Sequence, residues 1–189
     1  MIGLSTIRLL VLGAIRRRGR AHGYQVRSDL EAWGAHEWSS AAPGSIYHAL
    51  RSMAGQGFLK ERGTEESASG PPKTEYELTP QGEAEFFALL RDALSSHDQR
   101  LDLLGAAVGF IDELSRQEAL DLLRARAEAM EHWMHSIDTH LPQDADLETW
   151  GPVGEVIALW LHTARSRLDW TVGLIARLEA GAHRMRGDH

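Results

Sequence analysis

The chain of 189 residues is long enough for one large domain or two small ones, and its 43% hydrophobic and 25% charged residues allow a sizeable core. The lack of cysteine excludes disulfides, thiolate catalysis and cysteine-based zinc sites, and suits a cytoplasmic protein. No apolar run is long enough for a membrane span, the start Met1-Ile2-Gly3-Leu4-Ser5 has no basic region of a signal peptide, and the net charge of −7 argues against a protein that coats nucleic acid.

The charge is unevenly placed. Residues 1–83 carry 10 Lys and Arg against 9 Asp and Glu, whereas the remainder carries 10 against 18. A near-neutral head with a local basic cluster and an acidic body suit a DNA-facing part and a part that phosphates repel.

The first element is a helix from Leu4 to Arg18, with Leu4, Ile7, Val11 and Ala14 at helical spacing and Gly19 as its stop. Arg16, Arg17, Arg18 and Arg20 cluster at its end. Cations there complement the helix dipole or contact phosphates, and the two roles are compatible. His22-Gly23-Tyr24 opens a second helix to about Trp33, with Val26, Leu30 and Trp33 on its buried face, and Gly34 ends it before a loop through Trp38 to Ala42. Pro43 suits the first position of a third helix, Pro43 to Gln56, with Gly57 at its end. Ile46, Leu50 and Met53 face one way on this helix, and Ser45, Tyr47, His48 and Arg51, all hydrogen-bond donors, face the other.

Two extended segments follow, residues 58–62 and 73–78, joined by a tip rich in Ser, Glu, Gly and Pro. Thr79-Pro80 is a helix start, and that helix runs to about Leu94. Helix, helix, helix, strand, loop, strand is the order of a winged helix-turn-helix.

The rest reads as helical. One helix spans Leu101 to Leu114, and Ser115 with Glu118 forms a capping box for the next. From there Leu120, Leu123, Ala127, Met130, Met134, Ile137 and Leu141 step alternately by three and four, the seam of a coiled-coil-like packing. After an acidic linker, residues 142–149, a last helix from about Gly151 to Gly181 carries Val153, Ile157, Trp160, Ala164, Leu168, Thr171, Ile175 and Leu178 as its main stripe. Trp170 and Leu174 beside that stripe suggest packing on two neighbours, one of them in another subunit.

Leu12-Gly13-Ala14-Ile15, His22-Gly23-Tyr24-Gln25-Val26, Pro43-Gly44-Ser45-Ile46-Tyr47 with Leu50, Gly57-Phe58-Leu59 and Tyr76-Glu77-Leu78-Thr79-Pro80-Gln81-Gly82 form an ordered set. In order and spacing it resembles the PadR family of bacterial transcriptional regulators, and the helical tail resembles the family's longer branch. The resemblance implies a homodimer that binds double-stranded DNA at a palindromic operator, represses transcription and is released by a small, often aromatic, effector. It implies that the third helix enters the major groove and that the wing touches the backbone or minor groove. By matching position, Gly44, Ser45, Tyr47 and His48 lie at the DNA-facing start of the third helix, Tyr24 at the start of the second, and Lys73 at the wing's basic position. One departure is that Lys73 stands alone in the wing, near Glu65, Glu66 and Glu75, so binding leans on Arg16, Arg17, Arg18, Arg20 and Arg51. Tyr47 and Tyr24 also have a purely structural role open to them, as braces of their helices.

The expected architecture is thus mainly α: a winged helix-turn-helix DNA-binding domain of three helices and a two-stranded wing over residues 1–80, and a helical dimerisation and effector-binding domain over 81–189. Trp133, Trp150, Trp160 and Trp170 fall in the acidic part. They serve packing, or Trp133, Trp160 and Trp170 with Met130 and Met134 wall a pocket for an aromatic ligand. His132, His135 and His162 are the candidates for a metal sensor. No catalytic pattern stands out and no cofactor is implied. The other reading is a winged-helix protein–protein module without DNA binding, which the acidic total charge favours slightly.

Overall fold

The computed structural model describes residues 4–39, 41–65, 73–140 and 147–188. The elements in chain order are α1 (Leu4–Arg18), β1 (Ala21–His22), α2 (Gly23–Ala32), α3 (Ala35–Trp38), α4 (Pro43–Gly55), β2 (Leu59–Glu65), β3 (Lys73–Leu78), α5 (Pro80–Ser95), α6 (Leu101–Gly109), α7 (Arg116–His140) and α8 (Pro152–Glu179), with single 3-10 turns at Ile111–Glu113 and Leu147–Trp150. The chain divides into two compact units, Met1–Ala93 with Gln99–Phe110, and Leu94–Asp98 with Ile111–His189. The fold is mainly helical, a winged helix-turn-helix followed by further helices. No helix among the described residues is long and apolar enough to cross a membrane.

In the first unit α1 is the axis. Leu9, Leu10, Val11, Leu12 and Ile15 are fully buried, because α2, α4, α6 and β3 all pack on this one helix. A single apolar stripe would need one neighbour; burial on several sides follows from several. Its closest approach is at Gly13, where a Cβ would lie 2.2 Å from the Phe110 ring. Phe110 in turn meets Phe86 edge-on at 5.6 Å and Trp33 at 4.9 Å, an arrangement aromatic rings favour. The buried carboxylate of Asp102 accepts from Thr6 Oγ1 at 3.1 Å and pairs with Arg100 at 3.0 Å, so α6 and α1 are also tied by a satisfied polar contact.

Four details depart from the sequence expectation. The sheet has three strands, in the order β1-β3-β2, since Ala21 and His22 pair with Tyr76 and Glu75. The stretch after Gly34 holds the short helix α3. β2 runs on to Glu65, so Lys60 and Arg62 belong to the wing and Lys73 is not its only cation. The helix expected from Leu101 to Leu114 ends at Gly109, where Phe110 turns into the core and a 3-10 turn follows. Thr79 caps α5 as expected. Its Oγ1 accepts from the Gly82 N–H at 3.0 Å while donating to the Gly57 carbonyl at 2.7 Å, which fastens the helix start to the foot of the wing.

In the second unit α7 and α8 run antiparallel. On α7 Leu120, Leu123 and Met130 are buried and Ala127, Met134 and Ile137 half-buried, along the heptad seam; Leu141 lies outside the described residues. On α8 the buried line is Gly154, Leu161, Ala164, Thr171, Leu174 and Leu178. Val153 and Trp160, expected on that stripe, are instead 61% and 54% exposed. The helix is apolar around much of its girth, so the docking of α7 selects the line that is buried. Arg116 closes the end of α8 by donating to the carbonyls of Leu178 (2.6 Å), Ala182 (3.0 Å) and His183 (2.8 Å), while Asp188 accepts from it at 2.6 Å.

Gly13→Ala is expected to cost about 1–3 kcal/mol by forcing Phe110 off α1. The measurement is urea unfolding followed by tryptophan fluorescence, and wild-type stability would show that the Phe110 contact is dispensable.

Candidate nucleic-acid interface

The site begins with β1. Its pairing to β3 places His22 at the start of α2, where His22 Nδ1 accepts from the Gln25 N–H at 3.3 Å and Gln25 Oε1 accepts from the His22 N–H at 3.0 Å. This reciprocal cap sets where α2 begins and leaves Tyr24 64% exposed on its first turn.

The start of α4 lies against that turn. Tyr47 is 39% exposed because one edge of its ring rests on Gly23, where a Cβ would come within 2.4 Å of it. Tyr47 therefore both braces α4 against α2 and presents its outer edge to solvent. Ile46, Ala49, Leu50 and Met53 point into the core, which turns Gly44, His48 and Arg51 outward and leaves Ser45 half-buried. No side chain caps the N-terminus of α4, Pro43 stands in its first turn, and nothing lies within 4 Å of a Cβ built on Gly44. Backbone N–H groups at such an end favour an anion.

Arg27 joins this surface and was missed in the sequence. Its hydrogen bond to Glu31, at 2.6 Å, holds the guanidinium above its usual range, with smaller contributions from Tyr47 and Tyr24. Its position three residues after exposed Tyr24 on the same helix face was the available signal. On the inner side of α4, burial pushes the Tyr76 hydroxyl up, with Glu61 adding to this and Arg51 opposing it, so Arg51 is within electrostatic reach of the sheet.

The arginine cluster is engaged within the unit. Arg16 donates to Glu83 at 2.9 Å and lies 4.9 Å over the Phe87 ring. Arg17 donates to the Gly109 carbonyl at 3.0 Å and covers Trp33 and Phe110. Arg18 grips Asp29 with two hydrogen bonds of 2.5 and 2.6 Å, which hold its guanidinium above its usual range. The Arg20 side chain is 56% exposed, with Nε 3.4 Å from Glu77. These residues fasten α1 to α5, α6, α2 and the sheet.

In the wing, Lys60 stands opposite Glu77 and Lys73 opposite Glu65; the Lys73 side chain and residues 66–72, including Glu66, lie outside what is described. The hydrogen bond from Arg62 holds the Glu77 carboxyl below the usual carboxylate range, with Arg20 assisting. Because the folded-state value is lowered, this contact stands through neutral pH and is lost only as acid protonates Glu77.

The second unit holds a cavity of about 470 Å³. It brings together Met130, Trp133 and Trp160, with His97, Asp98, Thr163 and Arg167 as its polar lining. Met134 and Trp170 are not among its walls; Trp170 is exposed on α8 and Met134 half-buried on α7. His132, His135 and His162 are exposed, and among the described residues no three His, Asp or Glu side chains group closely enough to hold a metal ion.

Residues 11–88 match the transcriptional regulator PadR-like family. No curated protein matches the chain significantly. Several solved structures resemble it. Bacillus subtilis PadR in complex with operator DNA is 22% identical, with 90% of this chain and 98% of that one covered and a TM-score of 0.39. The same protein in complex with p-coumaric acid is 20% identical, with 93% and 97% covered and a TM-score of 0.37. A PadR-like transcriptional regulator from Bacillus cereus is 19% identical, with 93% and 99% covered and a TM-score of 0.37.

Gly23→Ala is expected to push the Tyr47 ring off α2, at a cost of about 1 kcal/mol in stability. Gel shifts should show a larger loss of DNA affinity than circular dichroism shows loss of helix. Unchanged DNA binding would mean that the seat of Tyr47 has no bearing on the interface.

Proposed function

We propose that the chain, whose residues 11–88 match the PadR-like family of transcriptional regulators, is a sequence-specific DNA-binding regulator, acting as a homodimeric repressor that a small aromatic ligand releases from a palindromic operator. The observation that carries the proposal is the outward face of α4. An uncapped helix start, an unobstructed Gly44, and the donors Ser45, Tyr47, His48 and Arg51 share one side of a helix whose other side is core. Short residues and backbone N–H groups let a phosphate approach, while Tyr47, His48 and Arg51 reach backbone oxygens or base edges. Arg51 is the one side chain among these with the bidentate geometry suited to guanine. Tyr24, Arg27 and Lys73 extend the contact on either side. Arg16, Arg17 and Arg18 support it by fixing the helices, and the exposure of Arg20 supports a direct phosphate contact for that member of the cluster.

DNA contact is assigned to residues 1–80, and dimerisation and effector binding to residues 81–189. The dimer reading rests on α8, where Val153, Leu159 and Trp160 are more than half exposed on a helix that already buries another line against α7. Apolar surface of this kind calls for a partner. A second copy would present a second α4 about 34 Å away, one DNA turn. The effector reading rests on the cavity beside Trp133 and Trp160. A ligand there acts by preferring one arrangement of the dimer over another.

Tyr47→Ala and Arg51→Ala are each expected to weaken binding to the promoter of the protein's own gene by about 1–3 kcal/mol, with the sedimentation of the free protein unchanged. Arg51→Ala should also reduce the slope of log affinity against log salt by about 1. Gly44→Ala should act in opposite directions, raising stability by about 0.5 kcal/mol while weakening DNA binding. Unchanged gel shifts for both Tyr47→Ala and Arg51→Ala would remove α4 as the reader, and binding with no salt dependence would favour a protein–protein module instead.

A further inference from the structure

The cap of α2 is an acceptor that a proton can take away. Helix N-termini are mostly closed by a side-chain oxygen of Ser, Thr, Asp or Asn. Here the acceptor is a ring nitrogen, His22 Nδ1, 3.3 Å from the Gln25 nitrogen, while Gln25 Oε1 accepts from the His22 N–H at 3.0 Å in return. Nδ1 accepts only while its lone pair is free, so the capped form holds a neutral imidazole with its proton on Nε2. A protonated ring carries N–H groups at both positions. It also sets a positive charge beside the positive end of the helix dipole.

The strand pairing gives a charged ring a place to turn. Ala21 lies opposite Tyr76 and both are buried, so His22 and its opposite residue Glu75 share the other face of the sheet. Opposed side chains on one face have Cβ atoms about 5 Å apart, within reach of an imidazolium–carboxylate pair. The remaining titratable and charged groups around His22 come from four sides. Tyr24 on α2 has its ring centroid 6.4 Å away, and Tyr47 on α4 rests against the adjacent Gly23. Arg27 on α2 is within electrostatic reach of both tyrosines, and Arg51 on α4 of Tyr76. Arg20 precedes the strand with its Nε 3.4 Å from Glu77, which Arg62 also holds. Glu75 is the carboxylate that the register sets opposite the ring.

What the cap holds in place is the outward turn. Gly23 follows His22 directly, and a Cβ there would come within 2.4 Å of the Tyr47 ring. Tyr24 comes next, 64% exposed. We propose that His22 is a positioning residue for the DNA-binding surface: its neutral ring keeps Tyr24 and the seat of Tyr47 in the binding arrangement, and its protonation releases the cap toward Glu75 and weakens DNA binding in mild acid. The proposal rests on the reading of α4 as the DNA-facing helix and adds a regulation of that same surface by pH.

The test measures binding of the full chain to the promoter of its own gene at constant ionic strength, from about pH 8 to about pH 5.5, the span over which an ordinary histidine changes charge. A charged His48 on α4 would favour phosphate at the acid end, so variants at position 22 are read as ratios at equal pH, in which that contribution cancels. His22→Asn supplies an oxygen that accepts throughout this range. The affinity of the wild type relative to His22→Asn is expected to fall about fivefold from the alkaline to the acid end, the worth of one helix cap. His22→Ala, with no acceptor, should bind about fivefold more weakly than His22→Asn at both ends. Glu75→Gln should shrink the fall, and an unchanged fall would remove Glu75 from the switch. In amide-resolved NMR spectra of the free protein, the Gln25 signal is expected to titrate in the wild type and to stay in place in His22→Asn. A ratio that does not change with pH, or a Gln25 signal that does not titrate, would overturn the proposal. If no variant binds DNA at any pH, the reading of α4 fails and the regulation with it, while the Gln25 titration still decides the cap.

Discussion

Phe110 rests on Gly13 at a distance that no side chain at position 13 would permit, and the first unit is arranged around that contact. The ring carries α6 onto α1, meets Phe86 of α5 and Trp33 beyond the end of α2, and so gathers four helices around one aromatic cluster. The cluster explains the arginines that follow α1. Arg17 lies over Trp33 and Phe110, and Arg16 over Phe86 and Phe87, each with its charge also hydrogen-bonded. A guanidinium suits this because it stacks on rings and donates in a plane at the same time. The basic patch is therefore first a lid over the aromatic core.

Once α1 is fixed, the surface of α4 follows. β3 packs on α1 and also pairs with β1, which sets the cap of α2 and so the turn on which Tyr47 rests. The wing is close to electrically neutral where it is described, since Glu77 faces Lys60, Arg62 and Arg20. On the proposed reading, affinity for DNA rests on a small number of donors along α4 and the first turn of α2. Such an interface positions the protein through phosphates and reads few bases directly.

The second unit is built on the opposite balance. It leaves large apolar side chains of α8 in solvent and takes a charge, Arg126, fully inside. Both are unfavourable in an isolated chain.

Much of the fold was legible in the residues. Pro43, Thr79 and Pro80, Gly19 and Gly34 mark helix boundaries because caps and backbone dihedrals are local properties. The periodicity of α1, α4 and α7 likewise follows from spacing within one segment. The outward set on α4 was legible for the same reason, since Ile46, Leu50 and Met53 define the inner face and leave Gly44, Tyr47, His48 and Arg51 on the other. What spacing does not carry is the identity of a distant neighbour. Two residues, Ala21 and His22, become a strand only because β3 lies beside them. Arg16, Arg17 and Arg18 face Glu83, Gly109 and Asp29, of which the first two are remote in sequence. On α8, apolar on more than one side, the docking of α7 decided that Leu161 is buried and Trp160 exposed. The sequence by itself thus determined the winged-helix head and the face that reads outward, because those depend on local geometry. Tertiary structure alone decided which cations hold the fold, which stay open on the surface, and that Arg126 is buried with Nε and Nη2 unmet, because each depends on contacts made across the chain.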